Sequence, residues 1–168
     1  EELASLSWPS NIAVVDQTAF IRDNNGVHSF DLRSKELKLI ANTRGALKNR
    51  MAVVGKKVFV PANKSVLIID AQKQEVSDVI SFENAVSGVI KTSDDNLYIS
   101  TTGNSPKISK VSALDYSIMQ ENAITQGSLS AGSSTSPGIS AKGDTIYFSG
   151  ATTTIYRHIF SSSNTELV

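Results

Sequence analysis

The chain has 168 residues, 40% of them hydrophobic and 19% charged, with sixteen basic residues against sixteen acidic ones. This length allows one domain with a real core, since a chain of about 150 residues buries roughly 70% of its unfolded surface, and the balanced charge gives no global field for nucleic acid or an anionic membrane. The lack of cysteine excludes disulfides, thiolate metal sites and a cysteine nucleophile, and no apolar run approaches the roughly 20 residues that span a bilayer.

The opening segment, EELASLSWPSN, has neither a basic n-region nor an apolar h-region and does not read as a signal peptide. Its Trp8, the one tryptophan, precedes Pro9 and is expected to pack between structural units, stacking on a sugar being the alternative. A repeating phrase follows. IAVVD (12–16) and TAFIRD (18–23) read as strands, DNNG (23–26) as a turn, then VHSFDL (27–32) and LKLIAN (37–42) as two more strands. RSKELKLIANTRGALKNRM (33–51) could be drawn as an amphipathic helix, but Gly45 interrupts it; strand then loop is the reading, with room for a helical turn near 45–49.

The second unit repeats the pattern with MAVV (51–54), VFVPA (58–62), VLIID (66–70) and EVSDVISF (75–82). The third gives GVIKT (88–92), LYIST (97–101), KISKVS (107–112) and YSIMQENAI (116–124). After the serine- and glycine-rich QGSLSAGSSTS (126–136), read as an inserted loop, the fourth gives GISA (138–141), TIYFSG (145–150), TTIYRHIF (153–160) and TELV (165–168). Phe20, Phe59, Tyr98 and Tyr147 hold the same place in the four units and follow one another at 39, 39 and 49 residues. A period of roughly 40 residues built of short strands is the signature of propeller blades. VDQT, GKK, SDDN and AKGD fall at one phase and suit tight hairpins. The expected fold is all-β: one β-propeller segment over 1–168, with four consecutive four-stranded antiparallel blades at about 7–43, 45–83, 86–124 and 136–168. The chain starts and stops at one phase of the repeat, which fits a compact four-bladed ring, an arc of a larger ring, or a half-ring completed by another chain. The arc is the expectation, because most propellers need more blades and usually staple their ends; the exposed blade faces of an open half-ring would be a large apolar liability.

VFVPANKSVLIIDAQKQEV (58–76) and LYISTTGNSPKISKVSALDYSIM (97–119) resemble the repeats of YVTN-type β-propellers, in which an aromatic-bearing strand is followed by Asn at a turn and a strand ending in Asp. AFIRDNNGVHSFDL (19–32) is similar, whereas the third unit places Ser109 and Lys110 where the Asp would fall and the fourth ends in HIFSSS. Signature residues of WD40 and kelch repeats and of sialidase Asp boxes are missing. The resemblance implies a seven-bladed or similar ring, often exported or at the cell surface, that binds rather than catalyses.

Candidate chemistry is sparse. His28 and His158 lack partners at metal-ligand spacing, and no G-x-S-x-G elbow marks a serine nucleophile. Asp94-Asp95-Asn96 and Asp23-Asn24-Asn25-Gly26 lack the spacing of a calcium loop and read as turns. Asp16, Asp31 and Asp70 end strands at repeated phases and are expected to accept hydrogen bonds from turn amides. Asn63-Lys64-Ser65 matches a glycosylation sequon. The basic stretch TRGALKNR (43–50) joins the first two blades. In a propeller such connections open on the same face as the turns between second and third strands. That places Arg44, Lys48, Asn49, Arg50, Asn63, Lys64, Asn104 and Lys107, with Asn25 and the 126–136 loop, on one binding face suited to an anionic or hydroxyl-rich ligand. No metal or cofactor is expected. The functional expectation is a non-enzymatic binding or scaffold module outside the cytoplasm, contacting protein or glycan, with missing blades or a second chain completing the ring. The alternatives are part of a propeller lyase or hydrolase whose catalytic residues lie partly in other blades, and an intracellular interaction propeller.

Overall fold

The computed structural model describes residues 6–43, 50–103, 105–124, 139–149 and 154–168. Among these there is no helix, and sixteen strands form four antiparallel four-stranded sheets. Blade 1 is β1 (Asn11–Val15), β2 (Thr18–Arg22), β3 (Gly26–Asp31) and β4 (Leu37–Asn42); blade 2 is β5 (Ala52–Val54), β6 (Lys57–Ala62), β7 (Ser65–Asp70) and β8 (Glu75–Ser81). Blade 3 is β9 (Val86–Lys91), β10 (Leu97–Thr101), β11 (Lys107–Val111) and β12 (Ile118–Ala123); blade 4 is β13 (Ile139–Lys142), β14 (Thr145–Ser149), β15 (Ile155–Ile159) and β16 (Asn164–Leu167). Every strand starts and ends within two residues of its expected position.

The hairpins repeat because their turn chemistry does. Two-residue loops join first to second strands at Asp16-Gln17, Gly55-Lys56 and Gly143-Asp144, each with its first residue left-handed at φ 52–59°. Gly, Asn and Asp tolerate that region best. Blade 3 departs from the tight hairpin: its loop spans 92–96, Thr92 followed by SDDN, and is braced by Thr92 Oγ1, which bonds Asp94 and the Asn96 backbone. The third turn repeats as well. Asp31 and Asp70 accept from the amides two and three residues ahead, and a left-handed Lys35 or Gln74 closes the turn. In blade 3 the equivalent acceptor is Ser112, with left-handed Tyr116, and not Ser109 or Lys110 as the sequence suggested. Asp16 differs from the other two: it occupies a left-handed hairpin position and pairs with Lys56 at 3.5 Å. Gly26 is required for space, since a Cβ there would sit 2.0 Å from the Ala41 carbonyl oxygen beside the β3–β4 bulge.

Blades pack face to face in chain order. One core joins Val15, Phe20 and Val27 of blade 1 to Val58, Val60 and Ile69 of blade 2. A second joins Phe59, Val66 and Ile68 to Val89, Leu97 and Ile99 of blade 3. A third joins Tyr98 and Ile108 to Ile146, Phe148 and Phe160 of blade 4. In blades 1 to 3 the aromatic of the repeat therefore plugs into the following blade, with Phe59 edge-on to Tyr116 at 6.1 Å and Tyr98 5.0 Å from Phe160. Phe20, Phe59 and Tyr98 are at most 1% exposed; Tyr147, the fourth, is 37% exposed. The first strands β1, β5, β9 and β13 meet in succession along the inner edge.

Trp8 corrects the sequence reading. It does not pack between blades but stands 73% exposed at φ 56°. The chain around it is fixed by Ser7 and Ser10, whose backbones bond Asn24 and Arg22. The left-handed residue between them turns the ring outward.

Candidate functional site

The connections between blades and the turns between second and third strands share one end of the molecule, here called the loop face. Backbone bonds tie them together: Phe82 N to Lys64 O at 2.8 Å, Val86 N to Asn63 O at 2.7 Å and Thr102 N to Ala85 O at 2.8 Å. On this face, at the outer rim between blades 2 and 3, lies a groove of about 210 Å³ lined by Ser81, Phe82, Glu83, Asn84, Thr101, Lys107, Ile118 and Glu121.

The groove is built from strand ends. The last residues of β8 and the connection after it supply one wall, β10 and β11 the floor, and β12 the far wall. Lys107 and Glu121 pair at 3.0 Å, and Ser109 Oγ donates to the other Glu121 oxygen at 2.9 Å. The Glu121 hydrogen bond raises the Lys107 pKa. Burial pushes the Glu121 carboxyl upward, but the bonds from Lys107 and Ser109 outweigh it and hold it below the ordinary glutamate value. Asn84 Nδ2 donates to Ser105 O at 3.1 Å, leaving its Oδ1 turned towards Gly103. The groove thus presents a fixed cation, a fixed carboxylate, an amide and a hydroxyl between walls that carry the apolar Phe82 and Ile118.

Of the residues chosen from sequence, Lys107 lies in this groove. Asn63 and Lys64 form the adjacent β6–β7 turn, both exposed, with Asn63 left-handed at φ 56°. Asn25 is exposed in the turn built by Asp23. Arg50 lies apart, in a cavity of about 300 Å³ along the inner edge with Met51, Ala52, Val89, Ile90, Lys91, Ser140 and Ala141. Arg44, Lys48, Asn49, Asn104 and the 126–136 loop fall outside the described residues. Glu83, Asn84, Thr101 and Glu121 were missed. Glu83 and Asn84 could have been found, because they occupy the blade 2–blade 3 connection just as 43–50 occupies the preceding one.

Both histidines are taken up by the framework. His158 is fully buried: Asn122 Nδ2 donates to its Nε2 at 3.0 Å, so the ring proton sits on Nδ1 and is donated to Thr165 Oγ1 at 2.8 Å. Burial lowers its pKa below the ordinary 6.5. His28 Nε2 lies 3.1 Å from Asp23 Oδ1, which also accepts from the Asn25 and Gly26 amides, while Oδ2 accepts from Ser7 N. Burial raises the Asp23 carboxyl, and these four bonds more than reverse that. The DNNG segment is a turn.

Four radially packed antiparallel blades define a β-propeller arc. A family model described as "Domain of unknown function (DUF5074)" matches residues 1–168, and the chain belongs to that family. Comparison with curated proteins returned no match. Among solved structures it is similar to Kuenenia stuttgartiensis hydrazine synthase, at 17% identity and TM-score 0.71, over 98% of this chain and 50% of that one. It is also similar to the WD40 repeats of RRP9, at 14% identity and TM-score 0.73, over 98% of this chain and 52% of that one. A third is the extracellular domain of the putative hybrid two component system BT4673 from B. thetaiotaomicron, at 12% identity and TM-score 0.64, over 95% of this chain and 22% of that one. The chain spans about half the length of the first two. At these identities the likeness establishes the fold.

Proposed function

We propose that this chain is a non-enzymatic recognition module, an arc of a larger propeller outside the cytoplasm, that contacts a protein or glycan through its loop face. The observation that carries the reading is the groove between blades 2 and 3, where Lys107, Glu121, Asn84 and Thr101 converge as donors and acceptors with no nucleophile–base pair among them. Such a set suits hydroxyls and amides, which both donate and accept. The exposed Tyr147 and the apolar outer face of blade 1 support further blades or a second chain beside this arc. The placement outside the cytoplasm draws on the low charge, the high Ser, Thr and Asn content and the likeness to an extracellular domain.

The test is a screen of the chain against oligosaccharide and acidic-peptide arrays, repeated with Lys107→Glu and Asn84→Ala. The expected result is a ligand whose affinity falls tenfold or more on either change, about 1.4 kcal/mol, and is unmoved by Lys73→Ala on the opposite end. Binding lost with Lys73 and retained with the groove variants overturns the reading, as does the absence of any ligand.

A further inference from the structure

At the loop-face end of the seam between blades 1 and 2, two buried polar atoms have no hydrogen-bond partner: Arg22 Nη1 and Thr43 Oγ1. Among the described residues no other buried side-chain nitrogen or oxygen is left in that state. Arg22 is 2% exposed and makes no ion pair with a described residue. Its neighbour Asp23 points to the other side of the strand, where four donors already hold it. Burial lowers the Arg22 pKa to about 10, which leaves the guanidinium charged at neutral pH. Native folds rarely keep a buried charge without a counter-charge, and each orphaned group calls for an explanation.

The register puts the two groups on the same side of the sheet, Arg22 at the end of the second strand and Thr43 just past the fourth. Arg22 lies opposite Val27 and Val27 opposite Ala41, with Thr43 two residues further on the same side. The equivalent series is Pro61, Val66, Ile80 and Phe82 in blade 2, and Ser100, Ile108, Asn122 and Ile124 in blade 3. Pro61, Phe82 and Ile124 are apolar, and Ser100 is satisfied by Ser87 Oγ at 2.8 Å. The blade framework therefore needs no polar group at either position. Blade 1, of these three, places an unsatisfied one at both. Phe82, the blade 2 counterpart of Thr43, lines the groove at the next seam.

We propose that Arg22 and Thr43 hold a carboxylate at the loop-face end of the blade 1–blade 2 seam. The guanidinium donates from Nη1 and the threonine hydroxyl donates a second hydrogen bond to the same group. A monoanion matches the single buried charge, whereas a phosphate dianion would leave an excess negative charge out of water. On the recognition-module reading, that carboxylate belongs to an acidic side chain of a protein partner or to a uronic acid of a glycan; this attribution rests on that reading, and the anion site does not.

The test uses sodium acetate, with sodium chloride and sodium phosphate at matched ionic strength, in thermal melts and isothermal titration of the whole chain. Acetate is expected to raise Tm saturably, and chloride and phosphate to do less. In Arg22→Met the acetate response disappears while the melt without acetate stays equal or rises, since an apolar stem fills the seam without a buried charge. Thr43→Val weakens acetate several-fold. An equal response to all three salts means an adventitious ion only and overturns the proposal. A response that survives Arg22→Met overturns it too. Should Arg22→Met not fold, Arg22→Lys keeps the charge but loses the fork, and an acetate response undiminished in it counts against the site. Failure of the recognition reading is seen separately, as a ligand insensitive to Lys107 and Asn84 alongside an intact acetate response.

Discussion

Blades 1 and 4 each turn one face to a neighbouring blade and one face outward, and the two outward faces are built differently. On blade 1 the outward rows are Ile12, Ile21, His28 and Leu39, and Val14, Ala19, Phe30 and Leu37. Ile12, Val14 and Leu39 are each more than half exposed. On blade 4 the corresponding rows are Ser140, Tyr147, Arg157 and Glu166, and Lys142, Thr145, Ile159 and Asn164, with Arg157 bonded to Glu166 at 2.7 Å. The first face has the composition of the interior faces of blades 2 and 3, while the second resembles the polar cap that closes a repeat array. Among the described residues Tyr147, Ile159 and the half-exposed Ile155 keep the chemistry of a buried seam there. The difference teaches that apolar cover is needed far more beside blade 1 than beside blade 4.

The sharpest way to break this comparison is to truncate the repeat aromatic in two blades. Phe59→Ala empties a sealed seam and is expected to cost about 3–5 kcal/mol in urea unfolding, whereas Tyr147→Ala costs less than about 1 kcal/mol. Equal losses would mean that Tyr147 is covered in solution. Next in size is the inward face of blade 4. His158 has a folded pKa below its ordinary 6.5, so the unfolded chain binds the proton more readily; stability is full above that pH and falls beneath it towards the folded pKa. Stability is expected to fall as pH drops below 6.5, with a slope of at most about 1.4 kcal/mol per pH unit, and a His158→Gln variant should show a flatter profile. Smaller again is Asp70→Asn, which keeps the turn acceptor but loses the 2.8 Å pair with Lys57. The Lys57 hydrogen bond, with the Lys73 and Gln72 amides, holds the Asp70 pKa down to about 2. The pair is partly solvated, so the loss should be about 0.2–1 kcal/mol and shrink in high salt. Smallest is Ile12→Asp: in the 168-residue chain it should shift stability by within about 0.5 kcal/mol. A large loss there would show that the outward face of blade 1 is already occupied.

The strands and the four-fold repeat were legible because hairpin turns and period-2 alternation are local signals, and the aromatics kept their spacing. Where sequence and structure part, a local signal stands in for a longer-range one. Ser109 and Lys110 were placed at the Asp phase because the wider loop between β10 and β11 displaces blade 3 by a few residues; Ser112 is where the third turn begins. Trp8 was expected inside on its type alone, and a left-handed backbone put it outside. The groove was half legible. Lys107 came from its loop position, but its pairing with Glu121 depends on β11–β12 register, and the company of Asn84 and Phe82 on how blade 3 is set against blade 2. Arg22 looked like an ordinary strand residue in TAFIRDN, since nothing in the phrase says which side of the strand will be sealed.

All three cores described above join a blade to the next one along the chain, and none needs residues more than about two repeats apart. Loop closure is therefore short at every step, and assembly can begin at any adjacent pair and spread outward. Arg22 and Thr43 sit in the seam that would gain most from a bound anion, so the order in which the seams zip should change when acetate is present during refolding. With the blade 2–blade 3 seam, rich in Ile, Val and Phe, as the natural starting point, the blade 1 seam would be the late and tunable one.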